Sequence, residues 1–223
     1  MIEMTNKDDF LWKKWYDESA RKNKNMMMKM GYQVNGKPVS YKIMNNIFQD
    51  IKNKLNVSKN HTLLDVSGGV GLFSRFIKKH MKDIILTDTS YNMTISSTKN
   101  NIKSIVADPK LLPFNDKSFD RVLCYSVFHI VGNFENVKLI ILELMRVLKQ
   151  DGILMIGDIP LPRKYAQKSK IKMLTLMFDK YFFEEFCVLH GLYYRILDQN
   201  IEGKITAPNR FDVLISRKEI RIS

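Results

Sequence analysis

The chain has few cysteines and few histidines, and its apolar runs are short. Its only two cysteines, Cys124 and Cys187, lie far apart and outside any metal-like spacing, which excludes a disulfide scaffold and favours reduced core thiols. The four histidines are scattered without ligand spacing, so we expect no metal site. The best apolar run, "LIILELM", is interrupted by Glu143, and the N-terminus shows no signal-peptide pattern. We therefore expect a cytoplasmic protein without a membrane span.

What the chain does contain is enough apolar sequence for a core and an excess of positive charge. Its 223 residues, 45% of them hydrophobic, fit one ordinary domain with a small appendage. The formal net charge of +13 is compatible with nucleic acid, a membrane surface or an anionic substrate. The lysines are scattered among Asn and Ile, which favours a solvated surface, and the densest segment, "RKYAQKSKIK" at 163–172, is the best candidate for a basic patch.

Residues 1–56 differ from the rest of the chain. This segment carries Trp12, Trp15, Tyr16 and Tyr32 around a methionine cluster and then breaks at the turn signal "NGKP". The stretch "SYKIMNNIFQDIKNKL" follows with helical spacing of its apolar residues and with Ser40 as its predicted cap.

From His61 onward, strand and helix patterns alternate. The predicted strands are "TLLDV", "DIILTD", "IKSIVA", "DRVLCYSV", "GILMIGD", "YYRILDQ" and "RFDVLIS". The clearest helix, "NVKLIILELMRVLKQDG", is predicted to close at Gly152. Alternation predicts a doubly wound, parallel α/β sheet. The last two strands are joined too closely for a helical crossover and are predicted to be antiparallel.

The stretch "LLDVSGGVG", residues 63–71, predicts a buried strand followed by a glycine turn and a helix, a unit that brings main chain close to a ligand. A dinucleotide fingerprint fits poorly because Ser74 stands at its third glycine position, and the Lys-Ser/Thr pair of a phosphate loop is missing. Polar residues stand at or just past five predicted strand ends and should share one rim of the sheet: Asp65, Asp88, Asp108, Tyr125 and Asp158.

Four ordered blocks carry a family resemblance: "LLDVSGGVG", "ILTDTSYNM", "VADPKLLPFNDKSFDRVLCYSVFHIV" and "ELMRVLKQDGILMI". They resemble the class I S-adenosylmethionine-dependent methyltransferases, in particular the small-molecule branch (methyltransferase type 11) similar to the ubiquinone/menaquinone methyltransferases. The resemblance implies a Rossmann-like, doubly wound, seven-stranded sheet, mostly parallel with an antiparallel last strand. It also implies that residues 57–223 bind the cofactor and that residues 1–56 form an N-terminal helical lid, with Tyr16, Tyr32 and Tyr41 as candidate pocket residues.

The cofactor implied is S-adenosyl-L-methionine. The resemblance places its binding residues at Asp65, Ser67, Gly68, Gly69, Gly71, Asp88, Thr89, Ala107, Asp108, Pro109 and Tyr125. Asp88 is suited to the ribose diol and Asp108 to the adenine amino group, whereas Asp65 is suited to the cofactor's ammonium group or to holding the turn. Ser67 replaces the family's first glycine, from which we expect a φ angle that is not strongly positive.

The candidate catalytic residues are His129 and Asp158. His129 is placed to face the methyl acceptor as a general base, or else it lines a loop; Asp158 contacts substrate, or else is exposed to solvent. We expect transfer to oxygen or nitrogen of a small molecule, with a sugar or surface-polysaccharide precursor as one candidate, by a monomer or homodimer. The alternatives are an RNA methyltransferase, disfavoured because "CYSV" replaces the motif of enzymes that methylate base amino groups, and a binding protein without activity.

Overall fold

The computed structural model describes residues 6–162 and 176–220, and for residues 6–11 it gives the helix but not the side chains. The candidate basic patch at 163–172 lies outside the described residues. In chain order the elements are α1 (Asn6–Lys22), α2 (Met26–Lys29), β1 (Gln33–Val34), β2 (Lys37–Pro38), α3 (Tyr41–Lys54), β3 (Thr62–Val66), α4 (Leu72–Ile77), β4 (Asp83–Asp88), α5 (Tyr91–Lys99), β5 (Lys103–Val106), β6 (Phe119–Tyr125), α6 (Phe134–Val147), β7 (Leu148–Pro160), α7 (Lys180–Leu189), β8 (Tyr193–Asp198) and β9 (Arg210–Ser216).

The main sheet has seven strands in the order β5-β4-β3-β6-β7-β9-β8. Strands β3 to β7 pair in parallel, and β9 runs antiparallel to both of its neighbours. The predicted α/β fold, a mostly parallel seven-stranded sheet with an antiparallel last strand, is therefore confirmed. The strand order reverses between β3 and β6, which is the point where such sheets bind ligands beyond their carboxyl ends.

Two apolar layers hold the sheet. On one face α6 buries Val137, Ile141 and Leu144 against it, while on the other α3 buries Met44 and Ile47. Burying a side chain of this size contributes about 1.5 to 3 kcal/mol, so each helix is fixed chiefly by its apolar face. The predicted cap of α3 is present, because the Ser40 hydroxyl accepts a hydrogen bond from the Ile43 amide.

The prediction that the clearest helix, which is α6, closes at Gly152 is wrong. Helix α6 ends at Val147, and the backbone turns at once into β7, which begins at Leu148. Gly152 lies within this strand, where a Cβ would come within 2.6 Å of the Leu148 side chain and 3.0 Å of the Asp120 carbonyl oxygen. Close packing within the strand therefore favours a glycine here. In the sequence, such a glycine cannot be told from one that ends a helix.

The N-terminal elements lie beside the carboxyl rim of the sheet and are tied to α5. Asp17 in α1 accepts a hydrogen bond from the Ser90 hydroxyl, and the Lys29 ammonium donates to Ser96 over 3.3 Å. The Ser19 hydroxyl donates to the Lys29 carbonyl, which joins α1 to α2. These contacts place the aromatic residues of α1 over the rim.

Within residues 6–162 and 176–220, no helix is both long and apolar enough to cross a membrane.

Candidate active site

The turn after β3 uses left-handed backbone at three positions. Ser67 has φ 55°, so the expectation that its φ is not strongly positive is wrong; Gly69 and Gly71 have φ 57° and 76°. Gly68 has an ordinary φ, but a Cβ there would lie 2.6 Å from the Asp65 carboxyl carbon. A left-handed non-glycine residue costs roughly 1 to 3 kcal/mol and is concentrated at functional sites. The turn is therefore a strained, closely packed main-chain cradle.

Asp65 lies beneath this turn. It is 1% exposed, and its carboxylate accepts a hydrogen bond of 2.6 Å from the Ser74 hydroxyl in α4. Burial, reinforced by the nearby Asp88, raises the pKa of Asp65 to about 7 despite the Ser74 hydrogen bond. Of the two roles considered for Asp65, the structure places it where it holds the turn to the following helix.

Asp88 ends β4 beside the same turn. Its two carboxylate oxygens accept hydrogen bonds from the amides of Gly69, at 2.9 Å, and Ser90, at 2.8 Å. Burial raises the pKa of Asp88 to about 6, with Asp17 acting in the same direction and the two amides opposing it. At neutral pH the group is mainly an ionised acceptor at the rim of the sheet.

A cavity of about 330 Å³ opens above the turn, within the size range of small-molecule sites. Seven of the predicted cofactor residues line it: Ser67, Gly69, Asp88, Thr89, Asp108, Pro109 and Tyr125. The other four, Asp65, Gly68, Gly71 and Ala107, are not among its lining residues. Sequence reasoning missed the apolar wall formed by Val127, Ile130 and Val131, which follows β6.

The cavity fits S-adenosylmethionine by its donor and acceptor groups. A Cβ built on Gly69 would collide with the sulfur of Met30, so a thioether chain already packs against this main chain. The Met30 sulfur also accepts a weak hydrogen bond from the Val70 amide at 3.5 Å. The amino acid portion of the cofactor has a shape similar to the Met30 side chain. Asp88 offers an acceptor for the ribose diol, and Val127 and Ile130 offer an apolar surface for the adenine ring. Met30 must move for the cofactor to reach Gly69.

A second cavity, of about 590 Å³, adjoins the first, and five residues line both: Trp12, Tyr16, Met30, Tyr32 and Ser126. Both predicted catalytic residues, His129 and Asp158, line the second cavity. Of the three tyrosines considered, Tyr16 and Tyr32 lie at the junction. Tyr41 is 82% exposed and outside both linings.

Asp158 is buried in a polar network and is not exposed to solvent, which was the alternative weighed for it. Its carboxylate accepts from the Lys204 ammonium at 2.5 Å and from the Ser126 hydroxyl at 2.8 Å. Burial would raise the pKa of Asp158, but the charges of Lys204 and Arg210 outweigh burial and lower it. Ser126 and Asp158, the two partners of this hydrogen bond, both have left-handed backbone, with φ 61° and 62°. The carboxylate is therefore held ionised.

His129 lies in a short 3-10 turn after β6, and its Nδ1 atom is buried without a hydrogen-bond partner among the described residues. Burial and the Arg210 guanidinium lower the pKa of His129 to about 4, against the opposing effect of Asp158. The imidazole is thus neutral at physiological pH. An unpartnered buried nitrogen of this kind is stabilised when a ligand supplies the missing hydrogen bond.

Sequence reasoning missed Lys204, on the connection from β8 to β9, and Arg210, the first residue of β9. The antiparallel β9 starts at the rim where β7 ends, so this connection lies beside the other strand ends. The predicted antiparallel last strand implied that its first residues lie at the rim where the parallel strands end. That conclusion was not drawn from the sequence.

Comparison with known proteins adds the family. Residues 64–156 match a sequence family described as a methyltransferase domain. These residues form a class I S-adenosylmethionine-dependent methyltransferase domain. The resemblance found in the motifs is confirmed over this range, and so is the cofactor, S-adenosyl-L-methionine.

A curated relative of this domain is also a methyltransferase. The ubiquinone/menaquinone biosynthesis C-methyltransferase of Blochmanniella floridana is 28% identical over 138 residues, which cover 57% of this chain and 50% of that protein. The chain spans about half the length of the curated relatives it matches.

Two solved structures share the fold, each at 14% identity and a TM-score of 0.72. A putative methyltransferase of Haloferax volcanii, in complex with the Trm112 methyltransferase activator, covers 91% of this chain and 98% of its own. Phosphoethanolamine N-methyltransferase 1 of Haemonchus contortus, in complex with phosphoethanolamine and S-adenosylhomocysteine, covers 98% of this chain and 52% of its own.

Proposed function

We propose that this protein transfers a methyl group from S-adenosylmethionine to an oxygen or nitrogen of a small molecule bound in the second cavity. The observation that carries the proposal is the pair of adjoining cavities. The first ends on the glycine turn and Asp88, the second on His129 and Asp158, and Tyr16 and Tyr32 lie between them.

The cofactor supplies an activated methyl group on a sulfonium that leaves as a neutral thioether. Asp88 would hold the cofactor's ribose diol as an acceptor, and the main chain at Gly69 would support its amino acid portion. Much of the acceleration then comes from alignment of the acceptor atom with the methyl group in a site closed to water. Trp12 and Met30, which line both cavities, are placed to exclude water when the N-terminal elements close.

His129 is assigned to the acceptor group. Its unpartnered Nδ1 accepts a hydrogen bond from an acceptor hydroxyl or amine and so orients a lone pair toward the methyl group. With a pKa near 4 it is a weak base at rest, so its main contribution is orientation. Asp158, already bonded to Lys204 and Ser126, acts as a positioning residue.

Tyr16 and Tyr32 stay protonated in this site. Burial, with the carboxylate of Asp158 adding to it, raises the pKa of both phenols above the ordinary value. They therefore serve as neutral hydrogen-bonding groups at the junction of the two cavities. The lid role of residues 1–56 is part of the proposal, and the contacts of α1 and α2 with α5 support it.

A sugar or surface-polysaccharide precursor remains the candidate acceptor from sequence, with RNA as the alternative. The second cavity supports a compact acceptor because aromatic and apolar side chains of the N-terminal segment cover it, among them Trp15, Val39 and Ile43.

Methyl-labelled cofactor incubated with the full chain and with separated metabolite and RNA fractions tests the proposal. Label should enter the metabolite fraction, and the His129→Phe variant, which keeps a ring but has no acceptor atom, should transfer it at least tenfold more slowly with unchanged cofactor affinity. Label in RNA alone would establish the alternative. Label in neither fraction, with the cofactor bound, would favour a binding protein.

A further inference from the structure

The wall of the second cavity offers hydrogen-bond donors in excess of acceptors. Lys204 and Arg210 bring two positive charges, and Asp158 is the one carboxylate among the described lining residues. His129 is neutral, so this wall has a net charge of about +1 from these side chains. Lys204 is 8% exposed and Arg210 19%, so solvent screens both charges only partly.

Both oxygens of the Asp158 carboxylate are already held by donors of the protein. Lys204 and Ser126 each donate to one of its oxygens, and the Arg210 Nε lies 3.8 Å from the oxygen that Lys204 holds. Behind it, the Asp158 amide donates to Asp212, a fully buried carboxylate that also accepts from Gln199. The negative charges of Asp158 and Asp212 are therefore balanced by donors within the protein.

Donor capacity remains on the cavity side. Among the described residues, Arg210 donates one hydrogen bond, from Nη1 to the Asp158 carbonyl at 2.8 Å, although a guanidinium carries five N–H groups. Within the part of the chain that the structure describes, the Tyr32 hydroxyl is buried beside Ser126 and makes no hydrogen bond of ordinary geometry. A buried donor without a partner destabilises the protein by about 1 to 3 kcal/mol, which a ligand acceptor would offset.

Resting on the function proposed above, we propose that the methyl acceptor carries an anionic group, a phosphate or a carboxylate, bound by Arg210 and Lys204 with Tyr32 donating to it. The planar guanidinium suits two oxygens of such a group, and the ammonium adds a point charge. A cationic acceptor would meet the net positive wall and a carboxylate whose oxygens are already engaged. Anion binding thus sets specificity, while His129 faces the nucleophile.

Three matched probes test this assignment by fluorine NMR on the full chain, with and without S-adenosylhomocysteine: 4-fluorophenyl phosphate, 4-fluorobenzoate and 4-fluorobenzyl alcohol. We expect at least one anionic probe to bind at least tenfold more tightly than the alcohol. The better of the two anions identifies phosphate or carboxylate as the group recognised. Equal binding of all three probes, or preference for the alcohol, would overturn the proposal.

Two arginine variants locate the site. Arg210→Gln should weaken the preferred anion at least tenfold and leave the affinity for S-adenosylhomocysteine within twofold. Arg195→Gln removes the same charge from an exposed position on β8 and should change neither. Unchanged anion binding in Arg210→Gln would place the anion elsewhere and refute the assignment. Failure of the unaltered chain to bind S-adenosylhomocysteine would instead count against the proposed function. The three probes would still show whether the second cavity binds an anion.

Discussion

Asp65→Asn should change how the stability of the protein depends on pH. Asp65 is buried beneath the glycine turn, and its pKa of about 7 stands about three units above the ordinary value of 3.8. At about 1.4 kcal/mol per unit, ionising this group in the folded protein costs about 4 kcal/mol. Because the folded pKa is raised, the protonated form stabilises the folded state below pH 4. That stabilisation is lost as the pH rises through 7.

Asparagine keeps an acceptor for the Ser74 hydroxyl but does not ionise. The free energy of unfolding, measured by urea denaturation between pH 4 and pH 8, should therefore fall less in the variant than in the unaltered protein. The two curves should diverge by about 2 to 4 kcal/mol across this range, with the variant the more stable at pH 8. Asp88 titrates in both proteins, and its repulsion of an ionised Asp65 is part of the difference that the two curves measure.

Ser74→Ala provides a control of opposite sign. It removes the hydrogen bond that lowers the pKa of Asp65, so the decline in stability should extend to higher pH. Curves for the unaltered protein and Asp65→Asn that stay parallel within about 0.5 kcal/mol would refute the reasoning.

Three further predictions concern the two cavities. Gly69→Ala places a methyl group against Met30 at φ 57° and should weaken S-adenosylmethionine at least tenfold by calorimetry, while a loss below twofold would count against the cradle. Cofactor affinity should fall as the pH drops through about 6, because Asp88 becomes protonated, and Asp88→Asn should abolish this dependence; a flat profile in the unaltered protein would contradict the assignment. Lys204→Met leaves Asp158 without its buried partner and should lower the free energy of unfolding by about 3 to 5 kcal/mol, whereas Lys42→Met, in an exposed pair, should change it by less than about 1 kcal/mol; similar losses would refute the buried-pair interpretation.

The mostly parallel sheet and the first cavity were predictable from the sequence because they follow from local patterns. Buried runs ending in Asp88 and Tyr125 bring side chains to one rim in any parallel sheet, and the glycine turn marks where main chain is approached. The backbone angle at Ser67 was not accessible, since a serine is left-handed only when the surrounding structure forces it. The end of α6 was missed because Gly152 is required by packing across Leu148, a contact that helix-stop patterns do not contain.

The second cavity depends on contacts between distant segments. Lys204 reaches Asp158 across 46 positions of sequence, and Met30 reaches the glycine turn across 40. Neither pairing leaves a periodic pattern. The charge of +13 likewise gave no location for function, although two of the positive charges line the cavity that receives the acceptor in this account.

Calorimetric titration of S-adenosylmethionine into the full chain and into Asp88→Ala tests the central claim most directly. The account predicts binding by the unaltered protein and, from the loss of a charged acceptor worth about 1.5 to 3 kcal/mol, a Kd at least tenfold higher in the variant. Asp83→Ala, at the opposite end of β4 and paired there with Lys103, should bind as the unaltered protein does. Equal affinity in Asp88→Ala and the unaltered chain would contradict the account.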